Sequence, residues 1–390
     1  MSSKLGHMVD DIQIEVVYDG LMNFVYIVKS FGGSMVIKQA LPYIRCMGDS
    51  YPISKQRAKY EAKALQIYAS ICASNVPQFY HFDDSLSLIA MQYLEPPHIL
   101  LRKGLIAGTQ YPLLAQHVSE FFAQVFFHTS LFSNTKSDHK YAVADFSGNV
   151  EMRRLMEELA FGPFEGSKYI TWTSPQLDFD VKELQEDINV KLQVSLLKSI
   201  FCERTQALIH SDFHAGSIMV TQNSVKVIDP EFAFYGPMGY DIGTFLRNLI
   251  VSYFSQDGLV TPQDDRQEYK IWLLKTLEET WNLFQEKFIK LWDEHKDCCD
   301  EVKTKYMQDV LHDALGFCAL YLIGSVIHVG PVEDFESIDN VSKRIECERN
   351  TLNFGRMLLK ERLKFSSIGE VVSCLQQFMD QHSSIILSRC

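Results

Sequence analysis

A chain of 390 residues, 46% hydrophobic and 22% charged, is long enough for two or three cores and too apolar to be disordered. Its net charge of −12 opposes general attraction to nucleic-acid phosphate or an anionic membrane, so neither is an expected partner. Nine cysteines, an odd number with no C-x-x-C pair, argue against a disulfide framework or a zinc site and for a reducing, cytoplasmic setting.

The first residues, MSSKLGHMVDD, carry no apolar signal core. Three β-rich runs follow, IQIEVVYDG, NFVYIVKS and SMVIKQA, with turn signals at Asp19-Gly20 and Gly32-Gly33. Ala58, Ala62, Leu65 and Ala69 recur at helical spacing and predict a helix over 55–70. Two more strands are expected near 78–82 and 86–91, after which Leu94-Glu95-Pro96-Pro97 breaks the pattern. Helices then dominate, over 111–132, 150–161, 181–202, 240–254, 262–294, 302–329 and 341–363. The stretch 111–132 is the most apolar, but Gln116, His117, Ser119, Glu120, Gln124 and His128 interrupt it. It reads as a buried helix rather than a membrane span. Residues 161–180 are expected to be a long loop. Strand character returns briefly between 207 and 234, with IMVT and VKVID. The expected fold is α+β and bilobal, laid out like a protein kinase. A small β-rich lobe covers 1–95, a hinge lies near 92–97, and a large, mostly helical lobe covers 98–390.

The chemistry concentrates in LIHSDFHAGSIMVTQNSVKVIDPEFAFYGPMGYDIG. Here His210-x-Asp212 precedes a short strand, a turn at Gln222-Asn223-Ser224, a second strand and Asp229-Pro230-Glu231. A hairpin brings the loop before its first strand next to the loop after its second, so the three carboxylates should converge. Phosphoryl transfer needs a carboxylate to orient and deprotonate the attacking hydroxyl, and oxygen ligands for Mg2+ on the phosphates. Asp212 is therefore the expected catalytic base, and Asp229 with Glu231 the expected metal pair. Val36-Ile37-Lys38, an apolar strand ending in lysine, suits an ammonium placed on nucleotide phosphates. Glu61 on the next helix is positioned to orient Lys38, with Arg57 and Lys59 as competitors. The turn Asp19-Gly20-Leu21-Met22-Asn23 is the expected phosphate-covering loop, with Gly20 and Asn23 as nucleotide contacts. Trp172 either closes over a substrate or anchors its loop to the core. Asp241 is placed to cap a helix and brace the catalytic loop, and His214 either holds that loop or packs.

Several runs carry a resemblance: VIKQALPYIRCMGDSYP, MQYLEPPHILLRKGLIAGTQYPLL, WTSPQLD, the long segment above and VEDFESI. In them the chain resembles the 5-methylthioribose kinases, especially the plant-type members, over about residues 19–372. These belong with the aminoglycoside phosphotransferase and choline kinase-like enzymes. The resemblance implies ATP and magnesium, and phosphorylation of the anomeric hydroxyl of methylthioribose, a step of methionine salvage. It implies that Lys38 meets the phosphates and that Gln92, Tyr93 and Leu94 form the hinge facing adenine. It also implies that Asp212 faces the sugar hydroxyl, that Asp229, Pro230 and Glu231 line the metal–nucleotide site, and that Trp172 belongs to a substrate lid. A homodimer is implied as well.

The chain departs from that pattern. Leu21 stands where members carry a nucleotide-contacting Asn, and Ser211 where the catalytic loop has Gly, whose backbone freedom suits a tight turn. Ser217 stands where related kinases hold metal with Asn. Counting back from Val332-Glu333-Asp334, Tyr321-Leu322-Ile323-Gly324-Ser325 replaces a segment that carries an Arg-Arg pair in members. Lys343, Arg344 and Arg349 lie too far along to replace it simply. Two alternatives stay open: a same-fold kinase with a shifted acceptor, and a catalytically weak paralogue that binds nucleotide or a partner subunit.

Overall fold

The computed structural model describes residues 11–18, 20–166, 170–295, 298–327 and 332–387. Asp19, part of the expected phosphate-covering turn, lies outside them. Strands β1 (Gln13–Val17), β2 (Phe24–Ser30), β3 (Gly33–Gln39), β4 (Phe79–Asp83) and β5 (Leu88–Gln92) form one antiparallel sheet in the order β1-β2-β3-β5-β4. Lys38 on β3 pairs with Val25 on β2 and Ile89 on β5, which fixes the height of its side chain in the sheet. Helix α1 (Arg57–Cys72) crosses this sheet and buries Ala58, Ala62 and Leu65 against Ile89 and Met91.

After β5 the chain pairs differently. Strand β6 (Ile99–Leu100) joins β8 (Ile218–Val220), which pairs with β9 (Val225–Val227), so the first strand after β5 already belongs with the β8–β9 hairpin. Strands β7 (Ala207–Ile209) and β10 (Phe234–Gly236) make a separate ladder. The helices are α2 (Leu101–Ala107), α3 (Leu114–Thr129), α4 (Lys136–Phe146), α5 (Val150–Glu165), α6 (Asp178–Glu186) and α7 (Ile188–Glu203). They continue with α8 (Met238–Ser255), α9 (Gln267–His295), α10 (Asp300–Gly324), α11 (Glu333–Glu336), α12 (Val341–Glu361) and α13 (Ile368–Leu387). Among the described residues no helix is long and apolar enough to cross a membrane.

Three differences from expectation have local causes. The helix expected over 181–202 is two, because Asp187 leaves helical geometry and accepts from the N–H groups of Asn189 and Val190, capping α7. The loop expected over 161–180 is shorter, since α5 runs to Glu165 and α6 starts at Asp178. Helices α2, α4, α11 and α13 were not legible as periodic apolar runs.

Helix α8 is buried along its whole length. It lies against α10 so closely that a Cβ on Gly239 would come within 2.7 Å of the Ala314 backbone nitrogen. A Cβ on Gly243 would come within 2.7 Å of the Cys318 nitrogen. These glycines let two helix backbones meet beneath the loop that carries Asp212. The second lobe's core is aromatic, with Phe122, Phe213 and Phe245 in mutual ring contact.

Candidate active site

The hairpin sets the loop before β8 beside the loop after β9, and of the three expected carboxylates it groups Asp229 with Glu231. Asp212 precedes β8, Asp229 follows β9, and buried His210 ties the two loops together. The His210 Nδ1 accepts from the Asp212 N–H at 3.2 Å and its Nε2 lies 2.8 Å from the Ile228 carbonyl. These partners require the proton on Nε2, and burial lowers the imidazole pKa, so His210 is a neutral strut. Asp241, on the first turn of α8, accepts from the N–H groups of His210 (2.6 Å) and Ser211 (2.8 Å). It braces the catalytic loop as expected but caps no helix, since α8 has no side-chain cap. Burial pushes its carboxyl up to about 7. His214 holds the loop too, accepting from Gly216 N–H at 2.8 Å and lying 3.3 Å from Asp212.

Two residues here sit in the left-handed backbone region, Ser211 (φ 68°) and Asp229 (φ 68°). For Ser211 this is the strain anticipated from the missing glycine, and its buried hydroxyl also lacks a hydrogen-bond partner. Asp229 tolerates the conformation better, as Asp commonly does.

Lys38, Glu61, Asp229 and Glu231 meet at one point. The Lys38 ammonium lies 3.0 and 2.9 Å from the two Glu61 oxygens and also bonds Asp229. Arg57 and Lys59 do not capture Glu61: Lys59 is exposed, and Arg57 turns to Glu231 at 3.4 Å. Burial works against the Lys38 charge, but Asp229, Glu231 and Glu61 together outweigh it and raise its pKa. The carboxylates carry the opposite strain. Burial, with Asp229 and Glu231 as neighbours, pushes Glu61 up to about 8 despite Lys38. Burial raises Glu231 as well. One oxygen each from Glu61, Asp229 and Glu231 lie within 4.8 Å of one another, a set of hard donors of the kind magnesium takes. An excess of carboxylate over ammonium fits a site built to receive a divalent cation.

Asp212 is different. Its side chain is 30% exposed, whereas Glu61 and Glu231 are nearly sealed. Burial alone would raise its pKa, but His214, His210 and Arg102 reverse this and hold it below the usual carboxylate value. An ionised, partly accessible carboxylate is what a proton acceptor requires.

The remaining expected site residues fall in varied settings. Asn23 is buried beneath the cluster, donating to Glu231 at 2.8 Å and accepting from Arg57 at 2.9 Å. Gly20 is half-buried, and Leu21 is 67% exposed. Arg45 fastens this turn, donating to the Val17 and Gly20 carbonyls at 3.1 Å each. Gln92 ends β5, Tyr93 stacks under the Lys29 ammonium, and Leu94 is buried. Pro230 and Ser217 are buried in the two loops. The Trp172 indole donates to Asp178 at 2.8 Å and its ring packs on the core, so it anchors its loop. Arg349 binds the same loop through Asp180 and the Gln176 carbonyl, and Arg344 pairs with Glu336. Neither is free to stand in for the missing arginines.

Sequence reasoning missed Asn149, Arg102 and Arg247, and misjudged the partner of Arg57. Asn149 donates to the Glu231 and Ala233 carbonyls and so shapes the loop that carries Asp229 and Glu231. Arg57 was read as a competitor of Lys38, whereas it neutralises Glu231 from below. Arg247 carried a signal: it is the single charge in the apolar run Ile242–Ser255 of α8, and a charge there is almost never buried without purpose.

Comparisons with known proteins agree with this geometry. The phosphotransferase enzyme family matches residues 134–279. Methylthioribose kinase 1 of Oryza sativa subsp. japonica is 52% identical over 97% of this chain and 92% of its own length. Methylthioribose kinase of Escherichia coli O45:K1 is 34% identical over 95% and 92%. Among solved structures, a glucosamine kinase in complex with glucosamine, ADP and inorganic phosphate superposes with a TM-score of 0.51. It is 15% identical and the match covers 91% of this chain and 83% of that one, so the likeness is one of fold.

Proposed function

The chain belongs to the methylthioribose kinase family and phosphorylates methylthioribose, and we propose that it does so with ATP and magnesium through Asp212, Lys38, Asp229 and Glu231. Asp212 accepts the proton of the sugar's anomeric hydroxyl as that oxygen attacks the γ-phosphorus. The bond to the β–γ bridging oxygen breaks, leaving methylthioribose 1-phosphate and ADP. Lys38, held by Glu61, receives phosphate oxygens and balances their charge. Asp229 and Glu231, with Glu61 behind them, would hold magnesium, which would supply positive charge against the negative charge of the transferring phosphoryl group. Gln92, Tyr93 and Leu94 meet adenine, Pro230 lines the nucleotide site, and the turn with Gly20 and Asn23 covers the phosphates. Asn23 does this indirectly, by fixing Glu231. Trp172 borders the sugar from its anchored loop. The protein works as a cytoplasmic homodimer in methionine salvage.

The observation that carries this reading is the convergence of Lys38 with Glu61 and Asp229 in one ion-paired cluster, joined through His210 to the Asp212 loop. The test is ADP release from ATP, magnesium and methylthioribose, with the product's phosphorus signal followed by NMR. A sugar 1-phosphate supports the reading. ADP released only with another acceptor, or with none, contradicts it. Light scattering at working concentration tests the dimer, which a monomer mass would exclude.

A further inference from the structure

Helix α8 carries a cation that the nucleotide chemistry does not use. Arg247 lies in the middle of this fully buried helix and is itself only 8% exposed. Its Nε donates to Ser325 Oγ at 2.7 Å and its Nη1 to Asn248 Oδ1 at 3.2 Å. Both acceptors are neutral. Among the described residues no carboxylate lies within ion-pair distance of it; the nearest acidic influence, Asp334, is paired with Arg102 at 3.3 Å. A buried cation without an anion is costly, and proteins keep one where a ligand completes it. Burial and the neighbouring Arg102 lower its pKa to about 10, so it remains charged at neutral pH.

Its place is fixed relative to Asp212. The same Asn248 Oδ1 accepts from the Ala215 N–H, so Arg247 and the catalytic loop share one acceptor. Arg102 acts on both Asp212 and Arg247, and a Cβ on Gly216 would stand 3.9 Å from Arg102 Nε. Tyr321 feels both Asp212 and Arg247, and its carbonyl accepts from the Ser325 hydroxyl that Arg247 holds. Lys38 answers instead to Asp229, Glu231 and Glu61. The guanidinium is thus tied through Asn248 to the loop that carries Asp212, whereas the Lys38 ammonium is tied to Glu61 and Asp229.

A purely structural role explains the bonds to Ser325 and Asn248. It does not explain the charge, since a neutral donor could make both. We propose that Arg247 is a specificity-determining residue of the acceptor side, its guanidinium donating to oxygens of the sugar that Asp212 deprotonates. Ser325 and Asn248 hold the fork so that its remaining N–H groups face the ligand. This rests on the reading of the chain as a methylthioribose kinase.

The variants Arg247→Met and Arg247→Lys, in the full chain, separate the two roles. Methionine keeps the length and removes the charge; lysine keeps the charge and loses the fork. Loss of a charged hydrogen bond to substrate predicts a rise of about tenfold to a hundredfold in the KM for methylthioribose for Met, and a smaller rise for Lys. The KM for ATP and the thermal shift with ATP should not change. The Tm of the Met variant without ligand should be equal or higher, because an unpaired buried charge is gone. A structural strut predicts the reverse, a lower Tm with an unchanged KM, and that result overturns the proposal. So does an equal rise in both KM values. If methionine prevents folding, the lysine variant alone decides on the same criterion. A wild-type protein that does not turn over methylthioribose overturns the functional reading and this proposal with it, whereas wild-type turnover with an unchanged KM in the variants overturns the proposal alone.

Discussion

The two sides of the site solve their electrostatics in opposite ways. On the nucleotide side every buried charge has a partner: Lys38 with Glu61 and Asp229, and Arg57 with Glu231. On the acceptor side Asp212 is part-exposed with His214 as its one ion-pair partner among the described residues, and Arg247 has neutral hydrogen-bond partners alone. The first side is preorganised by internal pairing, at the expense of three carboxylates crowded around one ammonium. The second leaves charges for a ligand to satisfy. Stability should therefore depend on the nucleotide side and acceptor affinity on the other.

The sharpest way to break that comparison is to unpair the nucleotide side. Arg57→Met leaves Glu231 buried without its guanidinium, which should destabilise the fold by about 3–5 kcal/mol in denaturant unfolding. A loss below about 1 kcal/mol would mean that Glu231 does not depend on Arg57. A charge added to the acceptor side tests the opposite pole. Ser325→Arg puts a second guanidinium beside Arg247, where it removes the hydroxyl that holds the first and repels it. The KM for methylthioribose should rise about tenfold by steady-state kinetics while the KM for ATP holds. Improved acceptor affinity would show that the serine is a mere deletion.

A pH series sharpens the comparison on the nucleotide side. Glu61 titrates near 8 when folded and near 4.5 in its ordinary state, so the folded protein holds an extra proton between those values. Ligand-free stability contributed by this group is therefore lost as pH rises through that window. A cation that needs the ionised carboxylate gains over the same range. The rise in Tm given by magnesium and ATP should grow from about pH 6 to about pH 8.5, and Glu61→Gln should flatten it. The smallest effect belongs to the shared loop. Ser211→Gly relieves a left-handed serine and an unpartnered hydroxyl, and should stabilise by about 1 kcal/mol, or ~2 °C in Tm. A lower Tm would show that the serine hydroxyl has a role.

This asymmetry also governs what could be read from the chain. Lys38, Asp212, Asp229 and Glu231 sit at strand ends, where period-two patterning and turn residues fix their positions within one or two residues. The approach of the Asp212 and Asp229 loops followed from a single hairpin, and Lys38 meets Asp229 from β3. The N-terminal sheet was legible for the same reason. Arg57, Arg102 and Arg247 project from helices, and which helix face meets the site depends on packing between elements distant in sequence. Arg247 and Ser325, for instance, are 78 residues apart. The break at Asp187 depended on a cap rather than on periodicity. Ser211 was legible as strain only because the family pattern supplied a glycine to compare.

The central claim is that Asp212 acts on the acceptor while binding of nucleotide depends on the Lys38 cluster. Turnover and ATP-induced thermal shift of Asp212→Asn, measured together, test it most directly. The account predicts that kcat with methylthioribose falls by about 10²–10⁴ while the ATP-induced shift stays at its wild-type size. Near-normal turnover, or a shift lost together with activity, would contradict it.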